Sequence, residues 1–297
     1  MAFLSKHSSF VCIVGFISLI TSCQQKVKIL EPASLPIVAA PSIITEKKIT
    51  SKENIISSID TTITHSQAIV KKILPTKLHK ISHQGIQFNL VTFDSRKQSL
   101  VVVDQTKGPG TTYADSQAAT KALNGIAAIN AGFFTPEGKP LGLVITQGDK
   151  RGSYNTSSLG SGIFYKTSQG HHLKRRSIWT KLSKNPPAEL LQSGPMLLEN
   201  SKSIVGLSDE QGRVRSFIAT DGKSHWCIGH ASSCTLNELS KTLTTIKIDS
   251  FKPTTALNLD GGRSSDLWVS STVNNGPLKI RPFWNKDVRN FLVLKNK

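Results

Sequence analysis

The apolar residues of this chain come in short runs, rich in Val, Ile and Phe, and most of these runs end at a Gly, Asn or Asp. Such runs suit strands, and the residues that end them suit turns. Residues 86–93, then Asp94-Ser95-Arg96-Lys97, then residues 100–103 read as a hairpin of β-branched strands. Further strands are expected at 126–129, 141–146, 162–165, 196–198, 214–219 and 291–294. Only two helices stand out. Residues 113–123 have Asp115 as a start signal and Asn124-Gly125 as a stop, and a second helix begins where Thr235-Leu236-Asn237-Glu238 matches a capping box and runs to about Thr244. Many strands and few helices, not in strict alternation, predict an α+β fold with a mixed or antiparallel β-sheet core.

One turn has the makings of a site. Asn258-Leu259-Asp260-Gly261-Gly262-Arg263-Ser264-Ser265 lies between the apolar runs 255–257 and 267–269, so a carboxylate leaves a buried strand straight into a glycine-rich turn. Gly261 and Gly262 can take positive φ and let backbone N–H groups approach a ligand, and Ser264 and Ser265 add hydroxyl donors beside Asp260. Taken alone, the same Asp-Gly pair is an ordinary hairpin signal.

Two motifs of similar kind precede it, Ile129-Asn130-Ala131-Gly132-Phe133-Phe134 and Leu191-Gln192-Ser193-Gly194-Pro195-Met196. Together with Arg213-Val214-Arg215-Ser216-Phe217-Ile218-Ala219 and Asp221-Gly222, this order resembles the phosphodiester glycosidase family, over a stretch from about Gly85 to the C-terminus. The resemblance implies hydrolysis of a sugar-1-phosphodiester at the anomeric carbon. It assigns catalysis to Asp260 and Arg215, and substrate binding to Asn130, Gly132, Phe133, Gln192, Ser193, Gly194, Gly261, Gly262, Ser264 and Ser265. Two positions depart from the family pattern. Arg263 stands within the usual Asp-Gly-Gly-Gly-Ser, and Ser216-Phe217-Ile218-Ala219 replaces the usual Thr-Ala-Ile-Gly, so Arg263 and Phe217 add bulk where the family tends to be small.

The residues themselves suit such a substrate. Asn130, Gln192, Arg215 and Asp260 each begin or follow an apolar run, which places them at strand ends and lets them converge on one rim of a sheet. An ordinary glycosidase needs two carboxyl groups, one to protonate a poor alkoxide leaving group. Paired carboxylates are hard to find here, but a phosphate monoester is already a weakly basic leaving group, so one carboxylate suffices. Arg215 can meet the phosphate with a two-pronged contact, and the glycine turn can offer N–H groups. Asp260 could act as base toward water, stabilise an oxocarbenium-like centre, or ligate a divalent cation such as calcium. Ser193 lies beside a Gly-Pro turn rather than in a Gly-x-Ser-x-Gly elbow, which favours hydrogen bonding over nucleophilic attack. No HExxH or close His/Cys cluster marks a transition-metal site. The rival reading is a non-catalytic surface lipoprotein that binds anionic glycans on the same rim.

Residues 1–22 carry Lys6 and a short apolar stretch, and they end in Ile20-Thr21-Ser22-Cys23, the pattern of a lipoprotein signal peptide with Cys23 lipidated. Residues 23–75 have no aromatic side chain and read as a tether, leaving 76–297 as the folded domain. The expected location is an exported, membrane-anchored lipoprotein in the periplasm or at the cell surface. The net charge is +18 over the chain and +14 beyond the tether. Export argues against nucleic acid as partner, so phosphorylated or otherwise anionic glycans and lipid headgroups fit the charge better. Lys174-Arg175-Arg176 is the densest basic run, and a solvated face explains it as well as a binding patch does. Cys227 and Cys234, in what reads as a polar loop, are expected to form a disulfide in an oxidising space.

Overall fold

A computed structural model describes residues 75–297, which fall in one compact unit. The expected signal peptide, the lipid site Cys23 and the tether up to residue 74 lie outside the described residues. Three sheets build the unit. The first has seven strands in the order Lys77–His83 (β1), Ile86–Asp94 (β2), His225–Cys234 (β13), Arg213–Thr220 (β12), Thr255–Asn258 (β14), Met196–Glu199 (β10) and Lys202–Ser203 (β11). The second has five: Leu278–Ile280 (β16), Leu267–Val269 (β15), Ala127–Asn130 (β4), Asn290–Asn296 (β17) and Gln98–Asp104 (β3). The third also has five: Asp149–Arg151 (β6), Val144–Thr146 (β5), Glu189–Ser193 (β9), Gly162–Thr167 (β7) and Gly170–Arg175 (β8).

Neighbouring strands within each sheet run antiparallel. The α-helices among the described residues are Ser116–Ala122 (α1), Trp179–Leu182 (α2) and Leu236–Thr245 (α3). The expected antiparallel sheets with few helices are what the chain forms.

The starts of α1 and α3 follow from their caps. The Asp115 side chain accepts the amide of Ala118, and Thr235 and Glu238 close a reciprocal capping box.

Side-chain alternation sorts the apolar residues into a shared core and three outer layers. On β17, Leu292 and Leu294 join Val91, Ile129, Leu191, Ile218 and Leu257 in a core drawn from all three sheets. Phe291 and Val293, on its other face, pack with Ala119 of α1. The outer face of the seven-stranded sheet carries Phe88, Leu90 and Phe217 beneath Leu239 and Leu243 of α3. With apolar groups on both faces of most strands, each sheet is fixed in register, since a slip of one residue would exchange its two faces.

Two expectations fail. The stretch 86–103 is not a hairpin, because β2 pairs with β1 and β13 while β3 pairs with β17 in another sheet. A turn signal reports that the chain reverses; it carries no information on whether the flanking strands pair with each other.

The segment 225–234 is not a loop but the long central strand β13, and Cys227 and Cys234 are free buried thiols along it. Seven residues of extended chain separate them by roughly 20 Å, far beyond the ~6 Å that a disulfide spans between Cα atoms. Composition misleads here because Gly229 is demanded by packing. A Cβ at that position would collide with the Phe217 ring, which stands edge-on to Phe88. A one-residue bulge, with Arg213 opposite Cys234 and Arg215 opposite Ala231, then returns Cys234 to the α3 face.

Candidate functional site

The Asp260 turn is where the first and second sheets meet. It does not close a hairpin, since β14 belongs to the seven-stranded sheet and β15 to the sheet of β4 and β17. Backbone hydrogen bonds stitch it in place: Asn258 N to Pro195 O (3.0 Å), Leu259 N to Ser216 O (2.8 Å) and Asp260 N to Ala131 O (2.8 Å). One side chain ties the same parts together from within. Asn130 is fully buried at the end of β4, its Nδ2 donates to Asp260 O (2.6 Å), and its Oδ1 accepts from Ser216 Oγ (2.7 Å) and from Asp266 N (3.0 Å).

The glycines of the turn serve different ends. Gly262 has φ of +60°, the left-handed region, whereas Gly261 is extended and is needed for space. A Cβ on Gly261 would lie 2.8 Å from Val214 O and 3.8 Å from Cα and Cδ of Arg215.

Asp260 is half-buried, and its Oδ1 accepts the amide of Gly261 at 2.9 Å. Burial pushes its carboxyl up to about 6. Hydrogen bonds from Ser264 and Gly261 and the positive charges of Lys286 and Arg213 pull the other way. The carboxyl therefore changes charge near neutrality, as a group that moves protons must. Other carboxylates nearby are committed. Asp266 is buried, accepts both the amide (2.8 Å) and the hydroxyl (2.5 Å) of Ser116 at the start of α1, and meets Arg281 at 3.3 Å.

Arg215 passes its stem beneath Gly261 and spends its guanidinium on carbonyls, Nε on Cys234 O (3.0 Å) and Nη2 on Gln211 O (2.9 Å). Gln192 is wholly engaged. Its Oε1 accepts from Leu143 N and Asn155 N, and its Nε2 donates to Asn155 O and Gly160 O, so it clamps the loop before β7 to β9. Ser193 faces the other way and donates to Asn258 O at 3.0 Å. A Cβ on Gly194 would strike Ser158 O. Gly132 donates its amide to Asn290 Oδ1 at 2.6 Å, and Phe133 is half-buried. The strand-end residues Asn130, Ser193 and Asp260 thus share one hydrogen-bonded cluster, with Arg215 packed beneath the turn and Gln192 directed away.

Three polar atoms at the site are buried without protein partners, Asn258 Oδ1, Ser265 Oγ and Asn290 Nδ2.

Sequence reasoning missed the cations. Arg213 and Lys286 supply the positive charge felt by Asp260; Arg213 opens the motif of Arg215 but is given no role by it, and Lys286 lies outside the motifs that carry the resemblance. The departures from the family pattern turn away from the carboxylate. Phe217 sits in the outer core under α3, and Arg263 is exposed with its Nε on Trp284 O at 2.9 Å. No cluster of three or more His, Cys, Asp or Glu suited to a metal occurs among the described residues.

The sequence model of the phosphodiester glycosidase family matches residues 123–295, which include Asn130, Arg215, Asp260 and Lys286. No curated protein matches the chain. Among solved structures, the fold is similar to the zebrafish N-acetylglucosamine-1-phosphodiester alpha-N-acetylglucosaminidase catalytic domain, auto-inhibited by pro-peptide, with a TM-score of 0.53. That likeness has 15% sequence identity and covers 74% of this chain and 82% of the other. A hypothetical protein from Synechocystis is similar at a TM-score of 0.51 and 17% identity, over 74% of this chain and 61% of that one. At these identities the likeness speaks for the fold.

Proposed function

Because the chain belongs to the phosphodiester glycosidase family, we propose that it is a hydrolase that cleaves a sugar-1-phosphodiester at the anomeric carbon, with Asp260 as its working carboxylate. The observation that carries this reading is one titratable carboxyl, raised to about 6, in a turn flanked by Arg213 and Lys286. A lone carboxylate is a poor fit to an alkoxide leaving group, which needs a separate acid. A phosphate monoester leaves without one. Asp260 in its ionised form takes a proton from water as the water attacks the anomeric carbon, while the bond to the phosphate oxygen breaks and the cations hold the departing charge.

The remaining residues build this arrangement. Asn130 fixes the backbone of Asp260, Arg215 fixes Gly261 from below, and Ser264 hydrogen-bonds the carboxylate.

The N-terminal pattern supports export with a lipid on Cys23, which would place this activity at a membrane surface, on phosphorylated glycans outside the cytoplasm. Incubation of the purified protein with N-acetylglucosamine-1-phosphate methyl diester tests the function. Free N-acetylglucosamine and methyl phosphate are expected from the wild type and not from Asp260→Asn. Binding without product, equal in both proteins, would instead indicate a glycan-binding lipoprotein.

A further inference from the structure

The stretch that contains β7, β8 and α2 carries no carboxylate. Residues 150–188 hold eight Lys or Arg and neither Asp nor Glu. Three of these cations are engaged: Arg151 meets Asp149 at 3.6 Å, Arg175 meets Glu199 at 2.9 Å, and Lys166 donates to Ser99 Oγ at 2.8 Å. The other five, Lys150, Lys174, Arg176, Lys181 and Lys184, have no ion-pair partner among the described residues. The fold gathers them. Ile178, Trp179 and Leu182 pack over Leu143, Ile163 and Leu190, so α2 covers one face of the third sheet. Lys150, on the edge strand β6, holds its ammonium 5.7 Å from the centre of the Trp179 ring. Toward the opposite edge, Lys174 of β8 and Lys181 of α2 line one shallow depression.

Two exposed apolar side chains stand beside these charges. Tyr154 is 39% exposed and Leu159 38%, and their segment is tied to the basic one: Tyr154 Oη donates to Arg176 O (3.3 Å), and Arg176 N donates to Ser161 O (2.9 Å). Unneutralised cations spread over a helix and two strand edges call for negative charge spread over an area, not for a single anion. The apolar pair narrows the choice. Lysine stems, a tyrosine ring and a leucine lie against acyl chains while the ammonium groups and the phenol reach the phosphates, which is the composition of a lipid boundary. A sulfated polysaccharide meets the charge but offers Leu159 nothing.

We propose that this face, α2 with the neighbouring strands β6 and β8, is a docking surface for an anionic lipid bilayer. It depends neither on the hydrolase reading nor on a lipid at Cys23.

The test uses the chain without residues 1–23, which removes the expected lipid site and leaves every described residue in place. Sedimentation with vesicles of phosphatidylglycerol mixed with phosphatidylcholine should capture the wild type, and vesicles of phosphatidylcholine alone should not. Each cation near such a surface is worth about fivefold in partition, so Lys174→Ser, Lys181→Ser and Lys184→Ser together should weaken binding by about 100-fold. Leu159→Ser should weaken it by about fivefold, at high salt as well as low, because salt does not screen an apolar contact. Lys80→Ser, Lys107→Ser and Lys252→Ser together remove the same net charge from exposed positions outside this stretch and should cost about tenfold or less. Thermal melts show whether each variant keeps its fold. Equal losses in the two triple variants mean attraction to net charge alone and overturn the docking face. A Leu159→Ser protein that binds like the wild type overturns the assignment to lipid. If the wild type ignores the vesicles but is held on a heparin column that releases the first triple variant early, the partner is a polysaccharide and the membrane proposal falls.

Discussion

The Asn130 side-chain amide holds the backbone carbonyl of Asp260 at 2.6 Å, so the end of β4 sets the position of a carboxylate 130 residues away. The other end of the same amide takes the hydroxyl of Ser216 and the amide of Asp266. Nothing about this residue is exposed, and none of its three bonds has water to fall back on. Asn130→Ala should cost on the order of 3 kcal/mol in urea unfolding and abolish hydrolysis. A loss below about 1 kcal/mol would mean that the bracket is not what holds the turn.

Asp260 should make the protein less stable as pH rises. Its folded pKa, about 6, lies above the ordinary value of 3.8, so the folded state binds more protons than the unfolded state between those values. Stability attributable to the group is therefore greatest below the lower value and is lost as pH climbs through about 6. Asp260→Asn keeps an acceptor for Gly261 N–H and removes the charge. It should stabilise the fold at pH 8 by about 1–2 kcal/mol, allowing for partial solvent access, and leave it almost unchanged at pH 4. Thermal melts at the two pH values check this, and a variant that melts lower than wild type at pH 8 would contradict it. The same ionisation predicts that kcat/KM rises with pH through about 6.

The phosphate charge should be met by Arg213 and Lys286, with Arg215 acting through the backbone. Arg213→Ala and Lys286→Ala should each lower kcat/KM by about 10- to 100-fold with an unchanged melting temperature. Arg215→Ala, which frees the carbonyls of Cys234 and Gln211, should instead lower the melting temperature. Steady-state kinetics and melts on the three proteins separate the roles. Loss of activity on Arg215→Lys alone, without any loss of stability, would return the phosphate contact to Arg215.

Burial pushes the thiol of Cys227 up to about 12 and that of Cys234 up to about 11, so neither is a ready nucleophile. In the folded protein both should resist iodoacetamide at pH 8, and both should be alkylated after denaturation without a reductant. Peptide mapping by mass spectrometry reads this out, and a peptide pair linked through Cys227 and Cys234 would contradict the strand assignment.

Much of this fold was legible because its strands are short apolar runs and its longer helices carry local start signals. Asp115 and Thr235 cap as their sequence context predicts, the runs at 196–198, 214–219 and 291–294 fall within β10, β12 and β17, and the run at 126–129 overlaps β4 to within a residue. Partnership between strands was not legible. The turns at Asp94 and Asp260 each lead from one sheet to another, and only the full set of neighbours decides that. The strand β13 was hidden by its Gly, Ser and His content, which reflects the volume of Phe217 and Phe88 opposite rather than any preference for a loop. In the site, the turn and its carboxylate were visible in the order of motifs. Of the cations, Arg213 stood in a recognised motif without a role, and Lys286 was not legible, because it reaches Asp260 through a loop whose position depends on Arg263.

The central claim, attack of water at the anomeric carbon, is tested most directly by hydrolysing N-acetylglucosamine-1-phosphate methyl diester in water enriched in oxygen-18 and weighing both products. Cleavage of the bond between the anomeric carbon and oxygen places the label on the sugar and leaves methyl phosphate unlabelled; the short reaction time keeps exchange at the free sugar small, and an unlabelled sugar control measures it. The account predicts label on the sugar and none on the phosphate. Label on methyl phosphate, or no products at all from the wild type, would contradict it.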